Sequence, residues 1–306
     1  MSGYLFGPVP SRRLGRSLGV DLVPFKTCSF DCIYCQLGQT TCKTVERKEW
    51  VPIDSVLQEL EQKLDSRPDY ITLSGSGEPT LFKPIDKLID GIRALTDVPI
   101  AVLTNGSLLG DEDVRAELCG ADLVIPSLDA GNEAAFQSVN RPHEGVSFSD
   151  MLAGLRTFRR HYFGAYWLEV FLLQGYTTSE AELADIRRCV DLIQPDRVQL
   201  NTVTRPPTES DAVAVPFSRL EEIAATFTTP AEVIAEFHSD HALEAGKVSR
   251  EEVLELLRRR PCSIDDIVAG LGRHRNEVLK SVEHLAVERL VEGAQVGDKL
   301  YYRATQ

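Results

Sequence analysis

Cys28, Cys32 and Cys35 stand at C-x3-C-x2-C spacing inside "KTCSFDCIYCQLGQTTC", the run from Lys26 to Cys42 that holds four of the chain's seven cysteines. Thiolates are soft ligands suited to Zn²⁺, Cu⁺ and iron–sulfur clusters. A closed zinc site needs four ligands, and Cys42 could supply the fourth. A [4Fe–4S] cluster is usually held by four cysteines, so three would leave one iron open to a small-molecule ligand. Two further stretches carry functional groups. In "SGSGEPT" (Ser74 to Thr80), Gly75 and Gly77 let backbone approach a ligand closely, and Glu78 followed by Pro79 fixes a turn. Thr104, Asn105, Ser127 and Asp129 place hydroxyl, amide and carboxylate groups at the ends of two apolar runs.

Positioning such groups takes a scaffold. At 306 residues the chain is long enough for one large domain and a small one, and it does not need disulfides to hold it together. It lacks an opening signal segment and any apolar run long enough to span a membrane, so a cytoplasmic protein with reduced thiols is expected. The formal charge of -13 is uneven. Residues 247–306 carry 11 Lys and Arg against 10 Asp and Glu, and residues 1–246 carry 22 against 36. An acidic body is a poor general binder of nucleic acid, because phosphate affinity is driven by Lys and Arg. Arg12, Arg13, Arg16 and Lys26 form a local basic patch.

Six short apolar runs read as strands: Gly19–Val23, Tyr70–Gly75, Ile100–Asn105, Asp122–Asp129, Trp167–Leu173 and Arg197–Val203. Amphipathic helical patterns lie between them, the clearest with Ile53, Val56, Leu57, Leu60 and Leu64 on one face and the next with Ile85, Leu88, Ile89, Ile92 and Leu95. Strand and helix alternating at this spacing predict βαβ units, a parallel sheet and a partial or closed α/β barrel, with ligands at the C-terminal strand ends. An open doubly wound sheet is the alternative. After Phe237 the pattern changes. Residues 238–248 read as a linker, and "HSDH" within it as polar rather than metal-binding. Residues 249–306 read as three helices and a hairpin turning at Gly297 and Asp298. Capping boxes, Ser249 with Glu252 and Ser263 with Asp266, open the first two helices. That order resembles a winged helix-turn-helix domain.

The cysteine spacing, with aromatic Tyr34 before the third cysteine and "GEP" on the next strand, resembles the radical S-adenosylmethionine (SAM) enzymes. The likeness covers about Gly19 to Thr204. It implies a partial (β/α)6 barrel over residues 1–237, followed by the small winged-helix domain. It also implies that Cys28, Cys32 and Cys35 bind three irons of a [4Fe–4S] cluster and that SAM chelates the fourth. The product of reductive cleavage would be a 5'-deoxyadenosyl radical that abstracts hydrogen from a substrate. Carried over onto matching positions, Gly75, Gly77 and Glu78 should meet the methionine amino group, and Tyr34 the adenine. Thr104, Asn105, Ser127, Asp129 and Asn201 should meet the carboxylate and ribose hydroxyls. A one-electron reductant such as flavodoxin or ferredoxin would be the partner.

Phe6 to Gly38 together with "LNTVTRPP" (Leu200 to Pro207) narrows the likeness to a branch grouped with the wybutosine tRNA-modification enzyme. Arg12, Arg13 and Arg205 are then candidate contacts to an anionic substrate group, since guanidinium forks suit carboxylate and phosphate. The substrate could be tRNA, other nucleic acid or protein recruited through the winged helix. The alternative function is an iron–sulfur transcriptional regulator binding DNA through that helix. Cys119 and Cys189 fall on helical patterns and are expected to be buried hydrophobes, and Cys262 to belong to a helix-turn junction.

Overall fold

The computed structural model describes residues 3–234, 249–296 and 299–305. The expected linker, its "HSDH" motif and the hairpin's turn at 297–298 lie outside the described residues. The strand and helix alternation builds one open sheet of eight strands, ordered as in the chain. These are β1 (Leu5–Ser11), β2 (Gly15–Val20), β3 (Tyr70–Leu73), β4 (Ile100–Thr104), β5 (Leu123–Pro126), β6 (Ala165–Phe171), β7 (Arg197–Asn201) and β8 (Ala231–Val233). Strands β2 to β8 run parallel, and β1 is antiparallel to β2. This mostly parallel sheet, which does not close on itself, is the partial barrel.

Two strands are additions to the six expected. Strand β1 contains Pro8 and Pro10, which fit an edge strand but spoil its pattern in the sequence, and β8 is only three residues long. The first expected strand is also displaced, ending at Val20 instead of Val23. Asp21 leaves the ladder because its carboxylate accepts from Ser76 N and Oγ at 2.7 and 2.6 Å.

Seven helices fill the connections: α1 (Ile53–Lys63), α2 (Ile85–Leu95), α3 (Glu112–Leu118), α4 (Glu133–Val139), α5 (Phe148–His161), α6 (Glu180–Ile193) and α7 (Phe217–Ala224). Asn132, Ser147 and Ser179 cap α4, α5 and α6 through side chains that accept backbone N–H groups. Alternate strand residues face opposite ways. Leu18, Val20, Ile71, Leu73, Val102, Val124, Leu168, Val170, Val198 and Leu200 pack under the helices in the main core. On the inner face, Leu14, Ala101, Leu123 and Ile125 form a small apolar plug. Beyond it the inner face turns polar, with Ser17 and Thr72 hydroxyls 2.5 Å apart and Glu169, Gln199 and Asn201 on the later strands.

The C-terminal segment comprises α8 (Arg250–Arg259), α9 (Ile264–Leu271), α10 (Arg275–Val287) and the antiparallel hairpin of β9 (Val291–Val296) with β10 (Lys299–Ala304). Both expected capping boxes are formed. Val253, Leu256, Leu257, Ile267, Val278, Val282 and Leu285 make its core, and Val9 of β1 belongs to the same cluster. Polar contacts reinforce the junction. Tyr301 Oη donates to Thr204 O at 2.6 Å, so this tyrosine reaches beyond its own hairpin. Arg259 Nη1 donates to Asp21 Oδ2 at 2.6 Å, and Arg259 Nη2 to Gly3 O at 3.2 Å.

Removing one partner of a buried pair strands the other charge. Arg259→Gln is therefore expected to lower stability by about 3 kcal/mol in urea unfolding at neutral pH. Burial raises the Asp21 carboxyl above its ordinary range, against the lowering effect of Ser76 and Arg259. The ionised form carries the cost, so the penalty should shrink as pH falls and Asp21 takes up a proton. Among the described residues no helix is long and apolar enough to cross a membrane. Cys189 is buried as expected and Cys262 lies, buried, in the turn between α8 and α9, but Cys119 is exposed because it caps the end of α3 at the surface.

Candidate functional site

A cavity of about 420 Å³ opens at the C-terminal ends of the inner strands, and the C-terminal segment supplies part of its wall. Cys28, Cys32 and Cys35 line it; Cys42 is exposed and does not. The loop that carries the three cysteines follows β2. Thr27–Cys28 pairs with Cys42–Lys43 in a two-residue parallel ladder that holds the loop's two ends together.

Each of the three sulfurs has a donor. Asn105 Nδ2 lies 3.6 Å and Phe30 N 3.5 Å from Cys28 Sγ, Asn140 Nδ2 3.4 Å from Cys32 Sγ, and Lys26 Nζ 3.2 Å from Cys35 Sγ. Lys26 is buried, and a buried ammonium calls for an anionic partner. Burial, then the Glu78 carboxylate, pushes the Cys28 thiol up to about 12, and burial with Asp129 pushes Cys32 up. Thiols so placed ionise against a multivalent cation. Among the described residues no three Cys, His, Asp or Glu side chains converge on one ion centre. Three cysteines on one cavity wall, each with a donor at its sulfur, are a soft-ligand set that an iron–sulfur cluster takes. The residues present fit the cluster.

The "SGSGEPT" loop forms the facing wall, and its glycines also serve the packing of the two loops. A Cβ on Gly77 would lie 1.8 Å from Thr27 O, and one on Gly75, whose φ is +137°, 2.6 Å from Asp21 Oδ1. Both glycines therefore let this loop pack against the cysteine loop and its root, where Lys26 N donates to Ser76 O at 2.7 Å and Glu78 N to Thr27 O at 3.1 Å. The Glu78 carboxylate is occupied as well. It accepts from Thr80 N and Oγ1, Thr104 Oγ1 and Asn105 N at 2.6–3.0 Å, yet burial still raises its pKa. Glu78 thus ties β3 to β4.

Gly75, Gly77, Glu78, Thr104, Asn105, Ser127, Asn201 and Tyr34 all line the cavity, as do Arg12, Arg13 and Arg205. Asp129 stands behind the wall instead. Its carboxylate accepts from Tyr34 Oη and, at 2.7 Å, from Asn140 Nδ2, so it fixes the groups next to Cys32 and Cys35. Burial raises it to about 6, against those hydrogen bonds. The Tyr34 ring stacks on Phe171 with centroids 3.9 Å apart. Tyr34→Phe keeps the stack and removes the donor to a buried carboxylate. The expected loss is about 2 kcal/mol of stability, read from a chemical denaturation curve.

Several wall residues carry little signal in the sequence. Glu169 faces inward from β6 and pairs with Arg13, which also donates to Gln199 Oε1 at 3.4 Å. Burial alone would raise Glu169, but Arg13, Asn201 and Arg12 outweigh it and hold the group below its usual range. An acid in the middle of "WLEVF" is the available signal. Lys26 reads only as part of the basic patch, although its partner Cys35 is nine residues away; Asn140, Arg259 and Arg260 give none, since their contacts with Cys32, Asp21 and the barrel lie far along the chain.

Residues 22–186 match the family model described as the radical SAM superfamily, which is over half the chain. The chain belongs to the radical SAM superfamily. Members of the radical SAM superfamily are enzymes. It is 39% identical over 301 residues to a Brachyspira hyodysenteriae protein named GTPase Obg, of whose length it spans only 44%. It is 32% identical to a Helicobacter pylori UPF0026 protein, covering 98% of this chain and 97% of the relative, and so belongs to that family too. A radical SAM methyltransferase structure from Sphaerobacter thermophilus matches with a TM-score of 0.53 at 17% identity, over 71% of this chain and 66% of that one. That likeness concerns the fold.

Proposed function

We propose that Cys28, Cys32 and Cys35 hold three irons of the cluster and leave the fourth to SAM. The carrying observation is the set of three free cysteines on one cavity wall, each sulfur with an N–H or ammonium donor. When bound, the cofactor pair supplies one-electron cleavage of SAM to methionine and a 5'-deoxyadenosyl radical, which takes hydrogen from the substrate.

The protein's share is placement. Lys26, Asn105 and Asn140 stabilise anionic sulfur. Glu78 keeps Thr104 and Asn105 at the rim, where they and Ser127 and Asn201 offer donors and acceptors to the methionine and ribose groups of SAM. Gly75 and Gly77 hold the two loops together, and Tyr34, propped by Phe171 and Asp129, forms an aromatic wall near the third cysteine. A one-electron reductant such as flavodoxin or ferredoxin is the partner this reading requires.

The C-terminal segment has the element order of a winged helix, but its contacts do not favour DNA readout. On α10, Arg275 pairs with Asp265 and Lys280 with Glu277. Specific DNA readers present more uncompensated positive charge. Iron and sulfide analysis tests the ligand set. Cys35→Ser is expected to lose the cluster and Cys42→Ser to keep it; equal retention in both would reject the assignment.

A further inference from the structure

Five arginines line the cavity: Arg12, Arg13, Arg205, Arg259 and Arg260. Three of them face carboxylates. Arg13 pairs with Glu169, Arg259 with Asp21, and Arg205 lies 3.5 Å from Asp266. Among the described residues neither Arg12 nor Arg260 forms an ion pair within 4 Å, although Glu169 lies near Arg12 and Asp266 near Arg260. Arg260 Nε and Nη2 and Arg205 Nε are buried without a hydrogen-bond partner. Burial, and then Arg205, lowers Arg12 to about 10 despite Glu169 nearby. A guanidinium withdrawn from water and set beside others is costly unless an anion joins it. That cost sits inside an otherwise acidic protein.

We infer that Arg12, Arg205 and Arg260 form a receptor for the phosphate group of a small-molecule substrate, built jointly by the barrel and the C-terminal segment. Two guanidiniums without a close ion pair, one of them with orphaned buried nitrogens, suit an anion, and forked N–H donors match phosphate oxygens. Arg260 follows α8 and reaches the cavity because Val9, Asp21 and Thr204 hold the C-terminal segment against the barrel. The same contacts cover the cavity on that side, which favours a small molecule over a polymer. A second hollow of about 770 Å³ shares Gln36, Leu37, Arg259 and Arg260 with the first and gives the rest of such a substrate room. That the anion is a substrate's rests on the radical-enzyme reading; the receptor itself stands on the arginines.

The test is calorimetric titration of the full chain, without cluster, with inorganic phosphate, pyrophosphate, succinate and a short single-stranded RNA at fixed ionic strength. Saturable binding of phosphate or pyrophosphate is expected, at least about tenfold weaker in Arg12→Gln and Arg260→Gln and unchanged in Arg275→Gln. The first two variants should melt, unliganded, at or above the wild-type temperature, because each removes an uncompensated charge. Overturning results are no phosphate binding, equal binding in those variants, lower melting temperatures in both, or preference for succinate or RNA. Phosphate binding that follows the arginines in a protein that never forms 5'-deoxyadenosine would sink the radical reading and leave the receptor; the reverse pattern would do the opposite.

Discussion

Cys32→Ala protein, reconstituted anaerobically with iron and sulfide, is expected to retain under about a tenth of the wild-type cluster and to form no 5'-deoxyadenosine above background. Position is the reason. Cys32 is the middle member of the triad, its sulfur receives Asn140 Nδ2 at 3.4 Å, and Asn140 is itself held by Asp129. Two remaining thiolates cannot hold a cubane that leaves one iron free for SAM. Cys42 cannot step in, since it is exposed and outside the cavity wall. The variant's apoprotein should unfold within about 1 kcal/mol of wild type, so the loss would be one of ligation and not of folding.

The second large effect is expected from Gly77→Ala. Its Cβ would sit 1.8 Å from the carbonyl oxygen of Thr27 and 2.8 Å from the carbonyl carbon, and both atoms are backbone. No rotamer change relieves that. The two loops must separate, breaking the bond from Glu78 N to Thr27 O and moving Cys28, the next residue. A loss of about 3 kcal/mol is expected by urea denaturation, together with cluster loading reduced by about tenfold. Gly38→Ala is the contrast. Gly38 has φ of +88° with nothing within 4 Å of an added methyl, so only the backbone conformation resists, at about 1 kcal/mol. Equal behaviour of the two variants would show that the Gly77 contact does not matter.

What the sequence discloses follows from where each signal is local. The cysteine spacing, the "GEP" turn, the amphipathic faces of α1 and α2 and both C-terminal capping boxes lie within a few residues, and the structure forms the turn, both boxes and both faces except that Leu64 lies just past α1 and Leu95 is exposed. Strand β1 is hidden because prolines interrupt it, and β8 because three residues carry no period. Asp129 reads as a rim group from its place at a strand end, yet its carboxylate is consumed by Tyr34 and Asn140, partners 95 and 11 residues away in the chain. The glycines of "SGSGEPT" read as room for a ligand; that Gly77 also makes room for Thr27 O depends on a contact fifty residues away in the chain. The docking of the C-terminal segment, which brings Arg259 and Arg260 to the cavity, depends on Val9 joining a core some 240 residues further on and has no trace in either stretch alone.

Radical chemistry on SAM in this cavity has a decisive assay: chromatography for 5'-deoxyadenosine after anaerobic cluster reconstitution and addition of dithionite and SAM, with Cys32→Ala in parallel. The wild type is expected to give 5'-deoxyadenosine and methionine in equal amounts, and the variant none. Wild-type protein with a full cluster complement that leaves SAM intact would contradict the assignment of radical chemistry.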